Sequence, residues 1–328
     1  MKTSTLGRTG ATVSAISLGT WQLGADWGDV SEQDARAVLD AAVESGVTMF
    51  DTADVYGDGR SERLIGGYLA DNPHLDVFVA TKIGRRQPQE VENYSADNLR
   101  AWSDRSRANL GVDTLDLVQL HCPPTALYSV DRVFDDLDAM VAEGRMRHYG
   151  VSVEKAEEAL AAIARPNVAV VQIILNAFRL KPLDRVLPAA IAANVGIIAR
   201  VPLASGLLSG RYTRDTTFAE NDHRNYNRQG DAFDVGETFS GVDYELGLAA
   251  AQEFSTLAQQ YDLAPATAAL AWVAQLPGVS TVIPGARSPE QARMNAAAGG
   301  VEPLGAEFHS RVVEMYDRTF RAVIHDRW

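Results

Sequence analysis

The sequence predicts a (β/α)8 barrel, and three observations predict it. Apolar, β-branched runs alternate with alanine-rich stretches of helical period along most of the chain. The strand candidates number eight: AISLG, VTMFD, VFVATK, LDLVQLH, MRHYGVS, VAVVQI, VGIIAR and VSTVI. They recur at about thirty residues per unit, which suits a strand plus its crossover helix and so a parallel sheet covered by helices. No complete GxGxxG follows a strand, and that disfavours the open, doubly wound alternative.

Each element has a local reason. TLGRTGATVSAISLG begins with a turn-linked pair, expected as a β-hairpin over the bottom of the barrel. SEQDARAVLDAAVESG reads as a helix with Ser31 as N-cap and Gly46 as its stop. Strand two ends at Asp51 in FDTADVYGDGR. The GDGRSE that follows (57–62) imitates a nucleotide loop, but Glu62 holds its third glycine position, so it reads as a decoy. SADNLRAWSDRSRANLG opens at Ser95 and closes at Gly111, and DRVFDDLDAMVAEG and EKAEEALAAIA follow the same pattern. Segment 212–241, after strand seven, is polar and has neither period; a loop so long is usually functional or mobile. YELGLAAAQEFSTLAQQYDL and AEFHSRVVEMYDRTFRAV are further helices, the second an addition beyond the repeat. One domain over 1–328 is expected.

Composition narrows the partners. A formal net charge of −13 argues against nucleic acid and anionic membrane surfaces. Cys122 is the lone cysteine, so no disulfide framework or cysteine zinc site exists. The first residues have no apolar leader and no window has the length of a membrane span. A cytoplasmic protein acting on a small molecule is the expectation.

In such a barrel the active site lies at the carboxyl ends of the strands. Asp51, Lys82 and His121 end three consecutive strands; Tyr56 follows Asp51, Ser152 ends strand five, and strand six carries Gln172. Alone, each reads more simply as a turn residue, a surface cation, a core histidine or packing. Together they suit protonation of a carbonyl oxygen. A phenol at pKa about 10 is a poor acid near neutrality, and a nearby ammonium lowers that value. Lys82 would supply the cation, Asp51 would hold it, and His121 would bond the oxygen that Tyr56 protonates. Cys122 falls on the opposite face from His121 by strand alternation and reads as core packing. A metal centre lacks paired histidines in AISLGTWQLG, and a Schiff-base lysine needs the neutral amine that Asp51 opposes.

With these residues in place, SLGTWQLG, FDTADVYGDGRSERLIG, VATKIG, LDLVQLH, GVS, VQIILN, VPLASGLLSGRY and VIPGARSPEQARMN resemble, in order, the aldo-keto reductase superfamily over essentially the whole length. The likeness is greatest to bacterial members and the potassium-channel β-subunit type. It implies that Asp51, Tyr56, Lys82 and His121 are a catalytic tetrad, with Tyr56 as general acid in reduction. It also implies a dinucleotide held without a Rossmann fold. Thr20 and Trp21 would line the nicotinamide side, and Ser152 and Gln172 would bond the carboxamide. Pro202, Leu203, Ser205 and Arg211 would wrap the pyrophosphate, with Arg200 beside the nicotinamide. Gly285, Arg287, Gln291 and Asn295 match the adenosine end, and Arg287 suits a 2′-phosphate, favouring NADP(H) over NAD(H). Trp21, Trp27, Tyr56 and His121 would form the substrate walls, with Phe178 as a further aromatic. Three positions depart from the family pattern: Val153 replaces a polar carboxamide holder, Arg200 an aromatic that stacks on nicotinamide, and Met294 an acidic residue. The resemblance leaves two other functions open, a slow NADPH-binding redox-sensing or scaffold subunit and a Schiff-base lyase.

Overall fold

In the structure, a computed structural model, residues 1–24, 30–220, 222–232 and 234–328 are described. A hairpin of β1 (Thr3–Thr5) and β2 (Thr12–Ser14) precedes the barrel strands. These are β3 (Leu18–Gly19), β4 (Met49–Asp51), β5 (Phe78–Ile83), β6 (Leu115–His121), β7 (Met146–Val153), β8 (Val168–Ile174), β9 (Gly196–Arg200) and β10 (Val279–Val282). All eight run parallel in chain order. Parallel bridges Ile16↔Val282 and Gly19↔Gly285 bring the last strand back to the first.

The helices form where the sequence supplies ends for them. Ser31 accepts from the Asp34 N–H at the start of α1 (Glu32–Glu44), and Ser95 from Asn98 at the start of α3 (Ala96–Leu110). Gly111 adopts the left-handed conformation that closes α3. Between them α2 (Arg60–Asp71) opens from the GDG turn. Its Glu62 is buried, accepting from Thr81 Oγ1 at 2.6 Å and Asn109 Nδ2 at 2.8 Å. A buried carboxylate there repels a phosphate, so the nucleotide-loop look of GDGRSE is local turn chemistry. Next come α4 (Asp131–Ala142), α5 (Ala156–Ile163) and α6 (Val186–Ala193).

The hairpin does close the barrel bottom. Leu6 and Val13 are fully buried in one cluster with Met49, Ala80, Leu117, Val170 and Ile198. The Arg8 side chain donates to the Ala193, Arg165, Pro166 and Val168 carbonyls, tying the hairpin to the neighbouring loops. Burying each large apolar side chain stabilises by about 1.5–3 kcal/mol, and here it also seals one end of the barrel.

Segment 212–241 is better packed than its composition suggests. It contains α7 (His223–Tyr226) and two short 3-10 turns, Val235–Glu237 and Phe239–Gly241. Tyr212, Phe218 and Phe239 form an aromatic cluster with Tyr244, and Arg224 lies 4.7 Å from the Phe218 ring centre. The chain then continues through α8 (Tyr244–Gln259), α9 (Pro265–Ala274), α10 (Pro289–Ala297) and α11 (Gly305–Tyr316). Among the described residues no helix is long and apolar enough to cross a membrane.

Candidate active site

The carboxyl ends of the strands open into one cleft of about 640 Å³, within the range of small-molecule and cofactor sites. Asp51 ends β4, Lys82 is next to last in β5 and His121 ends β6. Lys82 Nζ lies 2.5 Å from Asp51 Oδ1, 2.9 Å from the Thr52 carbonyl and 3.3 Å from the Tyr56 hydroxyl. Asp51 Oδ2 accepts from Gln172 Nε2 at 2.8 Å and Gln119 Nε2 at 3.2 Å. Tyr56 meets the His121 ring edge-on at 6.0 Å and stacks on Trp21 at 5.9 Å.

Glycines set the position of Tyr56. Gly57 has φ +56, and a Cβ there would run into the Gly24 carbonyl. A Cβ on Gly24 would lie 2.8 Å from the Tyr56 carbonyl carbon. The WQLG turn therefore crosses directly over the tyrosine loop, and only glycines permit that approach.

The electrostatics correct one expectation. Burial pushes the Tyr56 phenol up; the Lys82 ammonium pulls it down, but not enough, and Asp51 and Glu237 oppose that pull. The net direction is upward, so in the free protein Tyr56 holds its proton firmly. Burial also works against the Lys82 cation, yet Asp51 and Tyr56 outweigh it and raise its pKa. A charged Lys82 is no Schiff-base nucleophile. Burial, reinforced by Arg85, Lys82 and Arg200, holds His121 well below its usual value, so it stands as a neutral imidazole.

A second ionic group lies on β9. Arg200, buried, pairs with Glu154 Oε1 at 2.9 Å and Glu237 Oε1 at 2.8 Å, and also donates to the Val153 carbonyl at 3.2 Å. Its plane is thereby fixed between two carboxylates at the departure point from the family pattern. Cys122 belongs to this group: it does not line the cleft with His121, but it packs against polar partners rather than in the apolar core. Its φ of +49 ends the strand alternation, and its sulfur comes within 3.5 Å of Ser152 Oγ and 3.7 Å of Arg200. The Cys122, Glu154 and Glu237 ligand atoms lie within 4.8 Å of one another, but the Arg200 guanidinium already sits among them. Desolvation raises the Cys122 thiol to about 12.

The structure gathers the expected residues. Thr20, Trp21, Asp51, Tyr56, His121, Ser152, Gln172, Arg200, Pro202, Leu203, Ser205, Arg211, Gly285, Arg287, Gln291 and Asn295 all line the cleft, and Lys82 lies buried behind Tyr56. Gln172 gives its amide hydrogens to Asp51 and Gln119, which leaves its oxygen for a ligand. Gln291 and Asn295 shape the far end, accepting from Arg287 N–H and donating to the Gly285 carbonyl. Trp27 lies outside the described residues. Phe178 is misplaced as a wall: it is buried against Phe320 at 4.7 Å, away from the cleft.

Sequence reasoning missed Arg85, His223, Arg224 and Glu237 on the cleft wall, and Gln119 beneath it. Gln119 was detectable, because it lies two residues before His121 on the same strand face. The others carried no local signal.

The far half of the cleft is shaped for a dinucleotide's phosphates. Val201, Ala204, Ser205, Gly206 and Gly210 all have positive φ. A β-branched residue there is a backbone outlier, which marks this cleft-lining loop as strained. Burial and repulsion from Arg224 lower the pKa of Arg287, an imbalance that a phosphate would relieve. These features fit the phosphates of a pyridine dinucleotide.

Comparison with known proteins agrees with this geometry. The parallel barrel carries its cleft at the carboxyl ends of the strands. Residues 15–317 match the model described as the aldo/keto reductase family, and the chain belongs to that family. It is 32% identical over 327 residues to an uncharacterised oxidoreductase of Mycobacterium bovis, covering 96% of this chain and 93% of that one. It is 30% identical over 323 residues to a probable voltage-gated potassium channel subunit beta of Oryza sativa, covering 93% of each. Among solved structures it resembles a glycerol dehydrogenase from Gluconobacter oxydans, with TM-score 0.77, 29% identity, and 94% and 93% coverage. A Klebsiella pneumoniae aldo-keto reductase in complex with NADPH gives TM-score 0.72 and 25% identity, with 96% of each chain covered.

Proposed function

We propose that this chain is an NADP-dependent oxidoreductase that reduces aldehydes or ketones to alcohols in the cytoplasm, with a small-molecule carbonyl as its partner. The observation that carries the reading is the contact chain Asp51–Lys82–Tyr56, with His121 across the same cleft. A nicotinamide, when bound, supplies hydride chemistry; Trp21, Ser152, Gln172 and Arg200 would hold it. Pro202, Leu203, Ser205 and Arg211 would hold the pyrophosphate, and Gly285, Arg287, Gln291 and Asn295 the adenosine end.

The chain's own residues do the rest. Neutral His121 donates a hydrogen bond to the carbonyl oxygen and fixes its approach. Tyr56 keeps its proton until negative charge develops on that oxygen, then delivers it. Lys82 stabilises the phenolate left behind, and Asp51, itself held by two glutamine amides, keeps the ammonium in place. In the reverse direction Tyr56 is the base.

A panel of aldehydes and ketones with NADPH and with NADH, followed by loss of reduced-nicotinamide absorbance, tests this. Multiple turnovers with NADPH support the reading. Tight NADPH binding with a single slow turnover across the panel would favour a redox-sensing subunit instead.

A further inference from the structure

Segment 234–241, which brings Glu237 to Arg200, is packed from behind by Trp328. Trp328, 6% exposed, fills the space under that segment. Its Nε1–H donates to Asp234 Oδ1 at 3.2 Å, and the same oxygen accepts from the Gly236 N–H at 2.7 Å. A Cβ on Gly236 would lie 2.9 Å from the indole, and one on Gly241 would also strike it. The ring lies 4.0 Å from the Arg179 guanidinium, which is buried beside Gly236 and donates to the Glu154 carbonyl. The Trp328 carbonyl accepts from Ala156 N–H at the start of α5.

The front of the segment faces the cleft. Glu237 lines it and pairs with Arg200, and the Glu237 carbonyl accepts from Ser205 Oγ at 2.9 Å. Ser205 Oγ in turn accepts from Phe239 N–H at 3.0 Å. One short segment thus contacts the cleft floor through Arg200 and the strained loop through Ser205.

We infer that Trp328 is a positioning residue of the cleft: its indole, backed by Arg179, fixes segment 234–241 so that Glu237 meets Arg200 and Ser205 keeps its place. It touches no reacting group. The indole hydrogen bond and the two glycines require this ring at this depth, and a smaller side chain leaves the segment unsupported. The effect on turnover rests on the activity proposed above; the effect on the segment does not.

The test uses Trp328→Ala, Trp328→Phe and Glu237→Gln in the full chain. Amide hydrogen exchange is read across 234–241, with β4 to β7 as internal control, and NADPH affinity by fluorescence titration. Trp328→Ala should speed exchange in the segment by about tenfold or more and leave the control strands unchanged. It should weaken NADPH binding by about fivefold or more, and Trp328→Phe, which keeps a ring but loses the indole hydrogen bond, should fall between Trp328→Ala and the wild type in both readings. KM for any carbonyl turned over should rise in Trp328→Ala and rise much less in the Glu237→Gln background, because the carboxylate being placed is already gone. If Trp328→Ala does not fold, Asp234→Asn, which weakens the indole hydrogen bond, takes its place in every arm. Unchanged exchange in 234–241, or a lower melting temperature with unchanged NADPH affinity, would overturn the inference. If no carbonyl is reduced, the exchange and NADPH arms still decide it, and only the proposed activity fails.

Discussion

Two cations sit at the cleft floor, and their company differs. Lys82 has one carboxylate, Asp51, and beyond it a phenol that can ionise. Arg200 has two carboxylates, Glu154 and Glu237, one at each end of its guanidinium. The first arrangement leaves charge directed at Tyr56, whereas the second cancels it. Desolvation raises Glu154 to about 7, while Arg200 and Arg85 hold Glu237 below its ordinary value, so the pair does not need two full charges at neutral pH. The difference separates a cation used in chemistry from one used as a tie.

The comparison breaks most easily at Lys82. Lys82→Met should lower kcat by about 10²- to 10⁴-fold, because the phenolate loses its stabilising charge and Asp51 is left buried without it. Steady-state assay with NADPH checks this, and a loss under threefold would place Lys82 with the structural ties. Arg200→Leu should weaken NADPH binding and also lower stability. It strands two buried carboxylates and should cost about 3–5 kcal/mol, read by denaturant unfolding at neutral pH.

Asp54 sharpens the comparison as a buried carboxyl with no hydrogen-bond partner for either side-chain oxygen. Desolvation, aided by Glu62, raises its pKa to about 7, against the pull of Arg86 and Arg105. A raised folded-state value means that the folded chain binds the proton more tightly than the unfolded chain. Stability therefore falls as pH rises from about 4 to about 7, by on the order of 4 kcal/mol, and levels off above that. Asp54→Asn should remove that contribution to the slope in unfolding experiments across this range. The smallest effect concerns the far end of the cleft. Arg287→Ala should weaken NADPH binding by about ten- to a hundredfold and NADH binding much less, measured by titration. Equal losses would mean that Arg287 does not read a 2′-phosphate.

What the sequence made legible follows the same division. Strand ends and helix caps are local, so Asp51, Lys82 and His121 could be placed on one rim from period and order alone. Tyr56 followed from the loop that joins them. Arg200's partners could not be found that way, since Glu237 arrives from a segment without periodicity that folds back across the cleft. Cys122 stays off the cleft wall as strand alternation suggests, but its left-handed backbone sets it beside Ser152 and Arg200 rather than in the apolar core. Phe178 looked like a wall residue, but Phe320, far along the chain, buries it elsewhere. The direction of the Tyr56 shift was misjudged for a related reason: Lys82 was visible as a neighbour, whereas the burial that outweighs it belongs to the whole fold.

Tyr56 as proton donor is tested most directly by Tyr56→Phe, assayed in single turnover with preloaded NADPH and a reactive aldehyde. The ring and its stacking on Trp21 are kept, so NADPH should bind within about threefold of the wild type, while carbonyl reduction should slow by about 10²-fold or more. Reduction at the wild-type rate by that variant would contradict the assignment.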